Sequence, residues 1–225
     1  MTTERHAREE LARYGRVIYE LGFISATEGN LSLRFDPETV LATPKGLCKG
    51  RLAPDDMVLV DMNGHKRAGS RDVSSEIAMH LLIYRLRPDV HGIVHGHPPT
   101  ATAFAVAGVA LDQPTLAEIV ATLGAVPLAR YGTPGTHELA DALSPLVPEH
   151  DAILMANHGV VTYGRDLERA FMNMELVEKF AHITLVAEQL GGARRLEAKD
   201  VAHLRSLRER AAACPEAALS GRGQR

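Results

Sequence analysis

Apolar residues in the first segment recur at Leu11, Val17, Ile18 and Leu21, close to a helical period, with Thr3 placed to cap the start and Gly22 to end it. Beyond a Gly29-Asn30 turn the period changes. Leu31, Leu33 and Phe35 alternate with polar residues, as in a strand. VLATPKGLCKG (40–50) reads as a short strand running into a loop, and MVLVDM (57–62) as a third strand. Ser74-Ser75 precede EIAMHLLIYRLRP, a helix capped by serine and stopped before Pro88. GIVHGH (92–97) is the next strand, and PPTATAFAVAG opens a helix with proline in its first turn. DAILMANHGVVTYG predicts two short strands meeting at Asn157-His158-Gly159. A long helix capped near Asp166 follows, with Leu167, Phe171, Met174, Val177, Phe180 and Leu185 as its core stripe. The elements predict an α/β fold, a sheet covered by helices with hairpin-type pairing.

Composition narrows the class. The 225 residues are 45% hydrophobic and 24% charged with a formal net charge of −3, which is ordinary globular composition. Lys and Arg are scattered, so no nucleic-acid footprint is expected. The Arg205–Arg210 region reads as the solvated face of a C-terminal helix. No apolar run approaches the ~20 residues of a membrane-spanning helix, so no membrane partner is expected. Cys48 and Cys214 lie far apart, the pattern of a reducing compartment. The N-terminus lacks the apolar core of a signal peptide, and a cytoplasmic location is expected. Without repeats or an internal linker, residues 1–210 read as one domain, with 211–225 as a flexible tail.

The candidate chemistry sits at turns and strand ends. In an extended GIVHGHPP segment His95 and His97 share one face, with Gly96 leaving the space between them open. With His158 they offer three imidazoles, the ligand count of a catalytic metal site that keeps a position free. Imidazole ligands suit zinc, and cobalt, nickel or manganese fit as well. Glu76 reads either as an acidic residue favoured near a helix N-terminus or as a proton-transferring carboxylate beside the metal. Ser74 and Ser75 are simple caps or, with the free N–H groups of the helix start, part of a phosphate site. Gly29-Asn30 and Lys45-Gly46 would complete such a cradle through backbone amides and one positive charge.

Taken in order, T-E-G-N-L-S, T-P-K-G, S-S-E-x-x-x-H, H-G-H-P, Y-G-T-P-G-T and N-H-G-V resemble the class II aldolase/adducin family, from the first helix to about Gly191. The resemblance implies an α/β/α sandwich around a mostly antiparallel sheet, assembled as a homotetramer. It implies one divalent metal per chain on His95, His97 and His158, most simply Zn2+, with Mn2+ or Co2+ as alternatives. Glu76 matches the acid/base carboxylate, which also ligates the metal before substrate arrives. Thr27, Gly29 and Asn30 match one side of the phosphate cradle, Gly46 a second, and Ser74 with Ser75 a third.

The implied activity is that of a lyase: metal-dependent cleavage of a deoxyketose 1-phosphate to dihydroxyacetone phosphate and a short aldehyde. A decarboxylase or a thio-sugar phosphate dehydratase of the same family is the alternative. Epimerases of the family carry aspartate where Glu76 stands, and a non-catalytic adducin-like module would not need the histidines. Two departures are visible. Lys45 stands where aldolases of the family have threonine, and PTLAEIVATLG (114–124) lacks the tyrosine that supplies a proton in such enzymes, leaving Glu118 or a water for the aldehyde oxygen.

Overall fold

In the computed structural model, which describes residues 3–213, the strands are β1 (Asn30–Arg34), β2 (Thr39–Ala42), β3 (Val58–Asp61), β4 (Lys66–Ala68), β5 (Gly92–Gly96), β6 (Leu128–Ala129), β7 (Ala152–Met155) and β8 (Gly159–Gly164). They form one sheet in the order β4-β3-β2-β1-β5-β8-β7-β6. Every neighbouring pair is antiparallel except β6 and β7. The α-helices among the described residues are α1 (Glu4–Glu20), α2 (Ile77–Leu86), α3 (Pro99–Ala107), α4 (Ala117–Thr122), α5 (His137–Leu143), α6 (Leu167–Gln189) and α7 (Ala198–Ala213). None is long and apolar enough to cross a membrane.

Strand alternation sorts the core into two clusters. Leu31, Leu33, Val94, Leu154 and Val160 pack with Leu11 and Ile18 of α1, Ala101 and Ala105 of α3, and Phe171, Met174 and Val177 of α6. Val40, Val60, Ile93, Ile153, Met155 and Val161 face the other way, onto Met79 and Ile83 of α2 and Leu139 and Ala142 of α5. Helices therefore cover both faces of the sheet. For that reason the polar member of the Leu31-Ser32-Leu33 alternation is not solvated: Ser32 is fully buried against α2.

The helix ends differ in detail from expectation. Thr3 does cap α1, its hydroxyl accepting from the His6 N–H. The buried stripe of α1 is Ala7, Leu11, Tyr14 and Ile18, while Leu21 lies past the last helical residue and is exposed. Leu185 also proves exposed, because five residues on from Phe180 lie about 140° around the helix at 100° per residue. The inward line passes through Ala181 instead. Glu76, not a serine, occupies the N-cap position of α2, and the Ser74 hydroxyl accepts the Glu76 N–H in the turn before it. Strands β4 and β6 carry too few apolar positions for a periodic signal, whereas α5 buries Leu139, Ala142 and Leu143 at helical spacing. Helix α7 runs on to Ala213, and the rest of the expected tail lies outside the described residues.

Candidate metal centre and active site

One end of the sheet gathers the chemistry. Asn30 at the start of β1 is paired with His95 on β5, Gly96 with Val160 on β8, and the β7–β8 turn closes at Met155 and Gly159. Residues directly opposite on neighbouring strands bring their side chains together. His158 reaches the same end because Asn157, at φ 56°, turns the chain in the left-handed region that asparagine tolerates. Gly159 follows because a Cβ there would stand 2.4 Å from Cδ2 of His97.

The three rings converge: His95 and His97 have centroids 5.0 Å apart, His95 and His158 4.7 Å, and His97 and His158 5.3 Å. One nitrogen from each lies within 4.8 Å of the others. Second partners orient two of the rings. Nδ1–H of His95 donates to the Val160 carbonyl at 2.9 Å, which leaves Nε2 as the lone-pair nitrogen. Nδ1 of His97 lies 3.4 Å from the Glu28 carboxylate, which again leaves Nε2. Nε2 of His95, Nε2 of His97 and Oε1 of Glu76 are buried without a hydrogen-bond partner, and Nε2 of His158 lies 3.3 Å from that Oε1. Buried polar atoms in native proteins are rarely unpaired. Three such atoms beside Nε2 of His158 fit a cation, and three imidazoles with a carboxylate are ligands a divalent ion accepts.

Glu76 bridges the cluster, with Oε2 3.2 Å from Nε2 of His95 and Oε1 3.3 Å from Nε2 of His158. Its side chain makes no cap on α2, and Oε2 accepts from Nδ2 of Asn30 at 2.8 Å. Burial opposes its ionisation, but His95, His158 and the Asn30 amide outweigh burial and hold the carboxyl well below the usual range. Burial, together with the charge of His95, lowers His97 and pushes His158 down to about 4. For His95 burial is overcome by Glu76, and its affinity for a proton rises.

The predicted cradle segments lie side by side. Backbone hydrogen bonds run from Thr43 to Leu31, from Lys45 to Asp72 and from Ser74 to Thr43. Thus the 27–31, 43–47 and 72–75 segments form one rim. Gly29 and Gly46 both have positive φ, 67° and 75°. Thr27, Lys45, Gly46 and Ser75 are exposed there, while Gly29, Asn30 and Ser74 are buried. Glu118, in the first turn of α4, is exposed.

Three contributors were not apparent in the sequence. Glu28 orients His97 across 69 positions of chain. Lys49 is 2% exposed, and its ammonium donates to the carbonyls of Thr27 (2.6 Å) and Leu47 (2.9 Å), tying two cradle segments together. Burial pulls its pKa down. His80, quoted within S-S-E-x-x-x-H but given no role, proves to be fully buried behind Asn30. Only the T-E-G-N run pointed at Glu28, and nothing in G-L-C-K-G-R distinguished Lys49 from a surface lysine.

A mostly antiparallel sheet carrying three histidines and a glutamate at one end defines a narrow class of protein, and known proteins share it. A family model described as Class II Aldolase and Adducin N-terminal domain matches residues 9–185. The chain is 35% identical over 211 residues to a 3-oxo-tetronate 4-phosphate decarboxylase of Pectobacterium atrosepticum, covering 91% of this chain and 94% of that one. It is 34% identical over 200 residues to a 5-deoxy-D-ribulose 1-phosphate aldolase of Bacillus thuringiensis serovar kurstaki, covering 88% and 92%. A solved L-fuculose 1-phosphate aldolase superposes with a TM-score of 0.83 at 32% identity, covering 89% and 94%. The chain belongs to the class II aldolase/adducin family.

Proposed function

We propose that this chain is a divalent-metal lyase that releases dihydroxyacetone phosphate by breaking the bond outward from the carbon next to the substrate carbonyl. The observation that carries this reading is Glu76, half-buried, held toward its ionised form, and placed 3.2 and 3.3 Å from two of the three clustered histidines. His95, His97 and His158 would hold the ion, with zinc the simplest occupant. A divalent ion there supplies Lewis-acid stabilisation of negative charge developing on the carbonyl oxygen.

The rest is done by the chain's own groups. The 27–31, 43–47 and 72–75 rim takes the phosphate through backbone N–H groups, the hydroxyls of Thr27, Ser74 and Ser75, and the charge of Lys45. Bond cleavage leaves the electron pair on the α-carbon as an enediolate. The Glu76 carboxylate takes up a proton, the one lost by the C4 hydroxyl as the aldehyde forms or one from water when carbon dioxide departs, and delivers it to that carbon. In the reverse direction the ionised carboxylate removes it. No lysine Schiff base is required.

Two leaving groups fit the same residues. From a ketose 1-phosphate the C3–C4 bond breaks, and the departing half is a short aldehyde; this is our first reading. From a 3-oxo four-carbon acid phosphorylated at C4 the C1–C2 bond breaks, and the departing half is carbon dioxide. The 35% identity to a protein named for that decarboxylation favours this second reading. Both leave dihydroxyacetone phosphate, so Glu76 does the same work in each. A panel of ketose 1-phosphates and phosphorylated 3-oxo acids, with products read by mass spectrometry, separates them. An aldehyde product supports aldol cleavage, and carbon dioxide as the sole co-product supports decarboxylation. Turnover that survives complete metal removal would refute both. We also expect four chains per assembly, as a light-scattering mass would show.

A further inference from the structure

Behind the site lies a chain of buried side chains whose hydrogen bonds run in only one direction. A carboxylate can only accept, so the 2.8 Å contact between Asn30 and Oε2 of Glu76 requires the NH2 end of the amide there. Oδ1 of Asn30 then faces the other way, 2.6 Å from Nε2 of His80, and a carbonyl oxygen needs a donor. Nε2 of His80 therefore carries the proton. Its Nδ1 is left as an acceptor, 2.6 Å from the Ser32 hydroxyl, which must donate to it. The Ser32 oxygen in turn accepts from the Tyr84 hydroxyl at 2.9 Å. Tyr84 is fixed from behind: the Arg34 guanidinium sits 4.8 Å over its ring and donates to the carbonyls of Tyr84, Val90 and Arg87 at the end of α2.

We propose that His80 is a positioning residue, held as its Nε2–H tautomer by Ser32 and Tyr84, that keeps the Asn30 amide turned with its NH2 end toward Glu76. This rests on the reading of Glu76 as the proton carrier. An asparagine amide unsupported on its far side can flip, and a flipped amide would set its oxygen against the carboxylate. His80 prevents the flip by occupying Oδ1. It sits at 1% exposure, where burial pushes its pKa down to about 3 and keeps the ring neutral, so the direction of the chain does not change over the working pH range. A histidine that served only to fill space between β1 and α2 would have no reason to bond side chains through both nitrogens.

Two measurements test this. Two-bond 1H–15N correlation on the metal-free full-length protein with labelled histidine, assigned by the resonance lost in His80→Gln, should show the Nε2–H tautomer at neutral pH. The Nδ1–H tautomer, or an imidazolium, would overturn the proposal. Kinetically, His80→Leu should lower kcat about 10–100-fold, as loss of an outer-shell partner typically does, with KM and metal content nearly unchanged. His80→Gln, whose amide can donate to Asn30 from the same place, should recover most of that loss. Equal damage in both variants, or damage confined to KM, would mean a packing role only. If Glu76→Gln proved active, the reading of Glu76 would fail while the tautomer result stood. If Glu76→Gln were inactive and His80→Leu fully active, this inference alone would fail. Should His80→Leu not fold, the tautomer decides.

Discussion

Gly159→Ala is a one-methyl perturbation with a large expected effect on the metal centre. The added Cβ would lie 2.4 Å from Cδ2 of His97, 3.2 Å from its Nε2 and 2.7 Å from the Gly96 carbonyl. Carbon atoms pack at about 3.5–4.0 Å, so the ring contact is short by roughly 1 Å. The φ of Gly159 lies outside the left-handed region, so the effect is steric and not conformational. Gly96 is paired to Val160 in the ladder, which leaves the imidazole as the part that can yield. Overpacking of this kind costs about 1–3 kcal/mol of stability. For a chain of this size that is a drop of several degrees in Tm, at about 2–4 °C per kcal/mol. The larger effect falls on function, because a 1 Å displacement of a reacting group costs on the order of 100-fold. Chelator competition should show metal affinity reduced at least about tenfold, with the far-UV spectrum of the folded protein retained. A folded Gly159→Ala protein that binds metal as tightly as the wild type would refute the placement of His97 in the site.

Further outcomes follow from the same geometry. His95→Ala should fold and lose most bound metal, as elemental analysis would show; full metal content would remove His95 from the ligand set. Lys49→Met removes two charge-assisted hydrogen bonds between cradle segments, and KM for a phosphorylated substrate should rise about tenfold with kcat little changed; an unchanged KM would make Lys49 a packing residue. Stability should fall with acid through His80. Its folded pKa is pushed down to about 3 by burial and the charge of His95. Below an unfolded value of about 6.5 the unfolded chain binds a proton that the folded one does not, and stability is lost as pH falls. Between pH 6.5 and 5 this site accounts for roughly 1.5 kcal/mol. Urea titrations of the metal-free protein should show that share missing in His80→Gln; identical pH slopes would contradict it.

What could be read in advance was whatever repeats along the chain or carries its own chemistry. Thr3 before a helical period, the alternation around Leu31 and Leu33, and His95 two residues before His97 are local facts, and the structure has each in place. The partners of those residues are not local. Glu28 meets His97 and Lys49 meets Thr27 only because the antiparallel order β2-β1-β5-β8 brings distant segments to one sheet end, and Ser32 meets His80 because α2 packs on β1. Single-residue character misled where coverage by a second layer changed the environment. Ser32 is one of the polar residues alternating with Leu31 and Leu33, yet α2 buries it. Glu76 had two readings at sequence level, and the absent side-chain cap and the bond to Asn30 support the second.

The central claim is that Glu76 moves a proton on the carbon next to the carbonyl of dihydroxyacetone phosphate, whichever group departs in cleavage. Incubation of dihydroxyacetone phosphate with the metal-loaded protein in D2O, followed by mass spectrometry and proton NMR, tests it directly. The account predicts incorporation of a single deuterium at the hydroxymethyl carbon by the wild type and none by Glu76→Gln. Exchange that continues unabated in Glu76→Gln, or its absence in a metal-loaded wild type that binds the compound, would contradict it.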